Sequence, residues 1–174
     1  MVLRFAPGPS GPLHLGHTRA LALKNYAKNR YTGKLILRLE DTNPNAIDTD
    51  AYSMIQEDLE WLGIEADEVV IQSERIEKYY NDIRKILSEG GAYVTKSDAE
   101  EGRELKRQNR AHPDRDRKPE FQIKEFDSLL AGANGIVVIK TNLEDPNPAL
   151  RDFVAFRIVE DSHPLQKSKY RLWP

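Results

Sequence analysis

The chain contains no cysteine among its 174 residues. That absence excludes disulfides, a thiolate nucleophile and any zinc site built on cysteine. No apolar run approaches the roughly 20 residues that cross a bilayer. The first ten residues also lack the long apolar stretch of a secretory signal. The simplest expectation is a chain without membrane association, in a reducing cytoplasm. Apolar residues make up 39% and charged residues 31%, enough apolar material for a folded core and too much for global disorder.

Acidic side chains are missing from residues 1–38, which hold seven basic ones (Arg4, Arg19, Lys24, Lys28, Arg30, Lys34 and Arg38). Residues 40–68 invert the pattern, with ten acidic side chains and no basic ones, so the net charge of -2 conceals the asymmetry. A basic amino-terminal block suits a polyanionic ligand such as a nucleotide or nucleic acid, and equally a solvated helix face.

Residues 2–6 read as a short buried strand that ends at a Pro-Gly-Pro-Ser-Gly-Pro turn. A helix is predicted over 16–31, with Leu15, Leu21, Leu23, Tyr26 and Ala27 as its apolar surface and Thr32-Gly33 as its end. A second strand over 35–39 completes a βαβ unit, which implies a parallel sheet and a right-handed crossover. Asp48 or Thr49 is expected to cap a helix running through Leu62, followed by a third strand at 69–72 and a helix from a Ser73 cap to Leu87. Gly90-Gly91 breaks the pattern and marks a boundary. Beyond it come a polar helix candidate over 98–109, a Pro/Asp/Arg-rich connection to Pro119 and strand candidates at 136–141 and 153–159. The predicted class is α/β: the first half of a Rossmann-like parallel sheet over 1–91, an inserted α+β domain over 92–169, and the start of a return strand at 170–174.

The segment between the first strand and the first helix carries chemistry. Open α/β sheets bind ligands in the crevice at such junctions. A helix start offers unpaired N–H groups and a positive dipole end to a phosphate. His14 and His17, three residues apart, share one face there and each can donate to a phosphate oxygen. Gly16 leaves room for a flat ring or sugar. Two alternatives compete: histidines incidental to a turn, and a zinc pair, which lacks an acidic third ligand in the basic block.

His14-Leu15-Gly16-His17 after this turn resembles the nucleotide signature of class I aminoacyl-tRNA synthetases. Further words resemble the glutamyl/glutaminyl branch in its archaeal or eukaryotic form: Arg4-Phe5-Ala6-Pro7, Leu37-Arg38-Leu39-Glu40-Asp41-Thr42-Asn43-Pro44, Asp58-Leu59-Glu60-Trp61-Leu62-Gly63, Gly91-Ala92-Tyr93-Val94, Arg151-Asp152-Phe153-Val154-Ala155-Phe156-Arg157 and Lys169-Tyr170-Arg171-Leu172-Trp173-Pro174. The resemblance implies ATP, with Mg2+, as substrate, activation of glutamate to an adenylate, and transfer to the 3′ end of tRNA. It implies His14 and His17 as catalytic residues on the ATP phosphates, with Pro9, Ser10 and Gly16 bordering the nucleotide. Arg4 and Glu40, with Ala6, become the amino-acid site. Arg4 would meet a carboxylate and Glu40 an α-ammonium group; an ordinary salt bridge between adjacent strands is the competing reading. Leu39-Glu40-Asp41 resembles glutamyl enzymes more than glutaminyl ones, which tend to show Asp-Asp there.

Some family features depart. The Lys-Met-Ser-Lys-Ser-like loop does not occur in these residues, so the chain reads as an incomplete catalytic region of low activity by itself, with self-association or a partner expected to cover its open sheet. Gly8 stands where relatives often carry Ser or Asn. Thr95, Ser97 and His112-Pro113 replace a cysteine-bearing zinc pattern, so no zinc is expected. Residues 103–118 carry seven basic side chains against three acidic ones. The family's insertion contacts the tRNA acceptor end, which makes Lys106, Arg107, Arg110 and Arg151 candidates for its phosphates, a solubilising helix face being the alternative. A noncatalytic RNA-binding or tRNA-modifying relative is the remaining alternative function; such modifying relatives usually lack the second signature histidine, and His17 is present.

Overall fold

The alternation in Lys34–Leu39 buries Leu35, Leu37 and Leu39 on one side of a strand and leaves Lys34, Ile36 and Arg38 on the other. This strand, β2, lies between β1 (Val2–Phe5) and β3 (Glu68–Ile71) in a parallel sheet of order β1-β2-β3. The crossovers are α1 (Leu15–Arg30) and α2 (Ala51–Trp61). The computed structural model describes all 174 residues except Asp98, the first position of the predicted polar helix; the side chains of Ala99, Glu101 and Arg103 also lie outside the description.

The chain divides into two compact units: residues 1–75 with 161–168, and 76–160 with 169–174. In the first, Ala51, Ile55 and Leu59 recur every four residues along α2 and pack with Phe5, Leu21 and the three β2 leucines. Each fully buried leucine contributes about 2 kcal/mol of transfer free energy. α1 is less buried than its sequence implies. Only Leu21 is buried, while Leu15, Leu23 and Tyr26 are exposed. Its end is also different in detail: Thr32, not Gly33, takes the left-handed conformation at φ 49°. Gly33 is required for another reason, because a Cβ there would lie 2.9 Å from the Met1 carbonyl oxygen.

The second unit holds α3 (Ile76–Ser88), β4 (Ala92–Thr95), α4 (Ala99–Arg107), α5 (Pro119–Leu130), β5 (Ile136–Ile139), β6 (Phe153–Ile158) and β7 (Leu172–Trp173). Its sheet is antiparallel in the order β4-β5-β6-β7. Ile83 and Leu87 of α3 pack with Val94, Phe126, Leu129, Val137 and Phe156. The division therefore does not fall at Gly90-Gly91. The apolar face of α3 finds its core in the second unit, residues 161–168 rejoin the first, and β7 pairs with β6 instead of starting a return to the parallel sheet. α5 has no counterpart among the predicted elements. Ser73 is not a helix cap either: it sits inside a 3-10 turn, Gln72–Arg75, that precedes α3.

Candidate active site at the β1–α1 junction

The loop leaving β1 is held from several sides. Pro7 accepts from the Glu40 N–H (2.9 Å), Pro9 accepts from the Asp48 N–H (2.8 Å), and the Leu13 N–H donates to the Asp58 carboxylate at 2.7 Å. Pro9 is buried and Ser10 exposed. This clamps the entry to α1.

His14 caps that helix. Its Nδ1 accepts from the Gly16 N–H at 3.1 Å, and His17 Nδ1 accepts from the His14 N–H at 3.3 Å, a reciprocal capping box made of two imidazoles. The rings lie 3.9 Å apart between centroids, tilted by 31°, and His17 meets Phe5 edge-on at 6.1 Å. An Nδ1 that accepts a backbone N–H carries no proton, which leaves Nε2–H as the remaining donor of each ring. Burial, and next the charge of His14, hold the His17 pKa below the ordinary imidazole value. This pair of Nε2–H donors at a positive helix end can face a phosphate. Gly16 serves this arrangement differently from expectation: its missing Cβ makes room for His14, whose Cε1 would lie 2.9 Å from it.

Arg4 lies in register with Ile36, on the sheet face opposite the β2 leucines, as does Arg38 by the strand's period of two. Arg4 is exposed and makes no hydrogen bond or ion pair among the described residues. The interstrand Arg4–Glu40 salt bridge does not form. Glu40 pairs instead with Arg38, whose Nε donates at 2.7 Å, and accepts from Gln72 Nε2 at 2.9 Å. Arg38 and Gln72 are partners of Glu40 that the motif reading did not single out. Gln72 was within reach of it, since it follows β3 as Glu40 follows β2.

In the second unit, Arg107 pairs with Glu104 at 2.8 Å, and Arg110 reaches the Gln108 side chain at 3.4 Å. Both are exposed, and Lys106 is half-buried. Arg151 departs from the expected basic surface. It is 8% exposed, and its guanidinium donates to the carbonyls of Asp145 (2.8 Å) and Lys106 (2.9 Å), so it ties the fold together. Thr95, Ser97 and His112 form a hydrogen-bonded cluster, with His112 Nε2 2.7 Å from Ser97 Oγ and 3.2 Å from Thr95 Oγ1. His112 Nδ1 accepts from the Asp114 N–H at 3.0 Å, so Nε2 is the protonated nitrogen and cannot act as a base toward Ser97. The cluster borders a mainly apolar cavity of about 250 Å³ between Tyr93, Leu105, Val138 and Val154. Among the described residues no group of three His, Cys, Asp or Glu side chains is arranged to hold a metal, and no helix is long and apolar enough to cross a membrane.

The whole chain, residues 1–174, matches the family described as tRNA synthetases class I (E and Q), catalytic domain. The chain belongs to that family. Among the relatives of this synthetase domain, the glutamate–tRNA ligase of Thermoplasma acidophilum is 47% identical over 178 residues, covering 100% of this chain and 32% of that protein. The glutamate–tRNA ligase of Methanopyrus kandleri is 47% identical over 176 residues, covering 99% and 31%. A crystal structure of a glutamate tRNA ligase from Elizabethkingia meningosepticum, in complex with its amino acid, matches with a TM-score of 0.60 and 27% identity, over 79% of this chain and 32% of that one. The synthetase domain therefore spans about a third of the length of the proteins it matches. Its parallel three-stranded sheet is the Rossmann-like half of a class I catalytic fold.

Proposed function

We propose that the chain supplies the ATP- and glutamate-binding part of a glutamate–tRNA ligase. The observation that carries this reading is the imidazole capping box at the start of α1, which sets two Nε2–H donors at the carboxyl end of a parallel sheet. The phosphates of ATP would lie against His14, His17 and the helix end, bordered by Pro9, Ser10 and Gly16. Glutamate would lie near Ala6 on the face that carries Arg4. The free guanidinium of Arg4 suits the side-chain carboxylate, and Glu40, with lone pairs beyond those used by Arg38 and Gln72, suits the α-ammonium group. The α-carboxylate oxygen of glutamate attacks the α-phosphorus, the bond to the bridging oxygen breaks, and pyrophosphate leaves with the released electron pair. The protein's part is positioning and stabilisation of charge on the phosphates. The acyl group then passes to the tRNA 3′ end. Mg2+ would come with the nucleotide, and no residue of this chain is assigned to it. Lys106, Arg107 and Arg110 are proposed contacts to the tRNA backbone, a salt-sensitive interaction.

ATP–pyrophosphate exchange, measured on the longest product of the gene with tRNA present, tests this. Glutamate should support exchange and glutamine should not. Each preorganised donor is worth about 3 kcal/mol, so His14→Ala and His17→Ala should each slow exchange by about a hundredfold. Exchange with glutamine alone would move the reading to a glutaminyl enzyme. tRNA binding without any exchange would move it to a noncatalytic RNA-binding relative.

A further inference from the structure

We propose that His163 is a positioning residue for the amino-acid site, acting through the buried residue Asp41, whose main-chain carbonyl it holds; the proposal rests on Glu40 holding the substrate ammonium group. His163 and Asp41 are each 0% exposed, although 122 residues separate them. His163 Nδ1 accepts the N–H groups of Leu165 and Gln166, both at 3.1 Å, so its proton is on Nε2, which donates to the Asp41 carbonyl at 2.7 Å. The histidine is presented by a tight loop closed on itself, with His163 N–H to Lys167 O at 3.0 Å and Lys167 N–H to His163 O at 2.7 Å.

Asp41 follows Glu40 directly, and its carboxylate joins two further elements. Oδ2 accepts from the Tyr52 hydroxyl of α2 at 2.8 Å, and Oδ1 accepts from the Ser73 N–H at 2.8 Å. Ser73 is the neighbour of Gln72, whose amide donates to Glu40 Oε2. The chain of contacts therefore runs from His163 and Tyr52 through Asp41 to the turn that aims Gln72 at Glu40. The carboxylate keeps its orientation while Tyr52 and the Ser73 N–H remain its partners, and His163 fixes the carbonyl of the same residue, because an unpaired buried polar group is costly. Glu40 itself is half-buried and open to a ligand, so its aim depends on support it cannot supply alone.

The test is steady-state ATP–pyrophosphate exchange by the longest gene product carrying His163→Ala, His163→Gln or Tyr52→Phe, with folding checked by circular dichroism. His163→Ala should raise KM for glutamate about tenfold and leave KM for ATP within about twofold, the loss expected for one buried hydrogen bond. His163→Gln, which keeps an N–H donor, should recover most of that loss. Tyr52→Phe removes only a hydroxyl, so it decides the matter if His163→Ala fails to fold, and should raise the glutamate KM severalfold. An unchanged glutamate KM in the folded variants, or a fall in kcat with both KM values unmoved, would overturn the proposal and leave His163 as a structural staple. Absence of glutamate-dependent exchange in the unaltered protein would overturn the functional reading and this proposal together.

Discussion

His17 makes its contribution with a proton it lacks as much as one it keeps. Its pKa is depressed by burial first and by the charge of His14 second. As the pH falls through the ordinary imidazole value of 6.5, the unfolded chain takes up a proton before folded His17 does. The stabilising share of this group is therefore complete above that value and shrinks below it. Long-range proton–nitrogen NMR should find both rings as Nε2–H tautomers, with His17 titrating below 6.5. In His14→Ala the His17 pKa should rise toward 6.5, since one depressing charge is gone. An Nδ1–H tautomer on either ring would remove the donor pair from the phosphate site. The two histidines were legible as a pair from their spacing at a helix start. Their mutual cap was not, because it depends on ring orientations that spacing does not specify. Asp41 and His163 illustrate the limit further: their contact spans 122 residues and leaves no local pattern.

At the scale of elements, the N-terminus of α1 sets helix propensity against ring placement. A Gly16→Ala change gains up to about 1 kcal/mol of helix propensity. It also brings a Cβ within 2.9 Å of His14 Cε1, which must swing away and lose a cap worth about 1 kcal/mol. These effects nearly cancel, so the melting temperature should change little. Exchange activity should nevertheless fall about a hundredfold, as it would on losing the His14 donor itself. Activity retained in Gly16→Ala would show that the His14 ring position does not matter to catalysis. The parallel βαβα units were legible because strand alternation and helical spacing are local, with β2 as the clearest case. α5 went unread although Pro119 opens it and Ile123, Phe126 and Leu129 recur at helical spacing behind it. The Pro/Asp/Arg-rich stretch before it drew attention to loop chemistry instead.

For the whole molecule, the division into units was the least legible property. The apolar stripe of α3 says that the helix packs, not against which sheet, and residues 161–168 rejoin the first unit through contacts that no local pattern announces. The first unit also presents a sheet whose outer strands, β1 and β3, each have no strand partner on their outer edge among the described residues. Val2 is 67% exposed on one of them, Val69 45% on the other, and Trp61 at the end of α2 is 85% exposed. Unpaired strand edges flanked by apolar side chains template association. Charged neighbours oppose it: Glu68, paired with Arg75 at 3.3 Å, guards β3. On β1 only Arg4 does so within the strand, and Val2 lies at its open end. We therefore expect the 174-residue chain alone to self-associate through the first unit as its concentration rises, with Val2→Lys and Trp61→Lys each weakening that tendency. Multi-angle light scattering across a dilution series measures it directly. A mass of 19.9 kDa at every concentration would show that the exposed edges are adequately protected by their charges and twist.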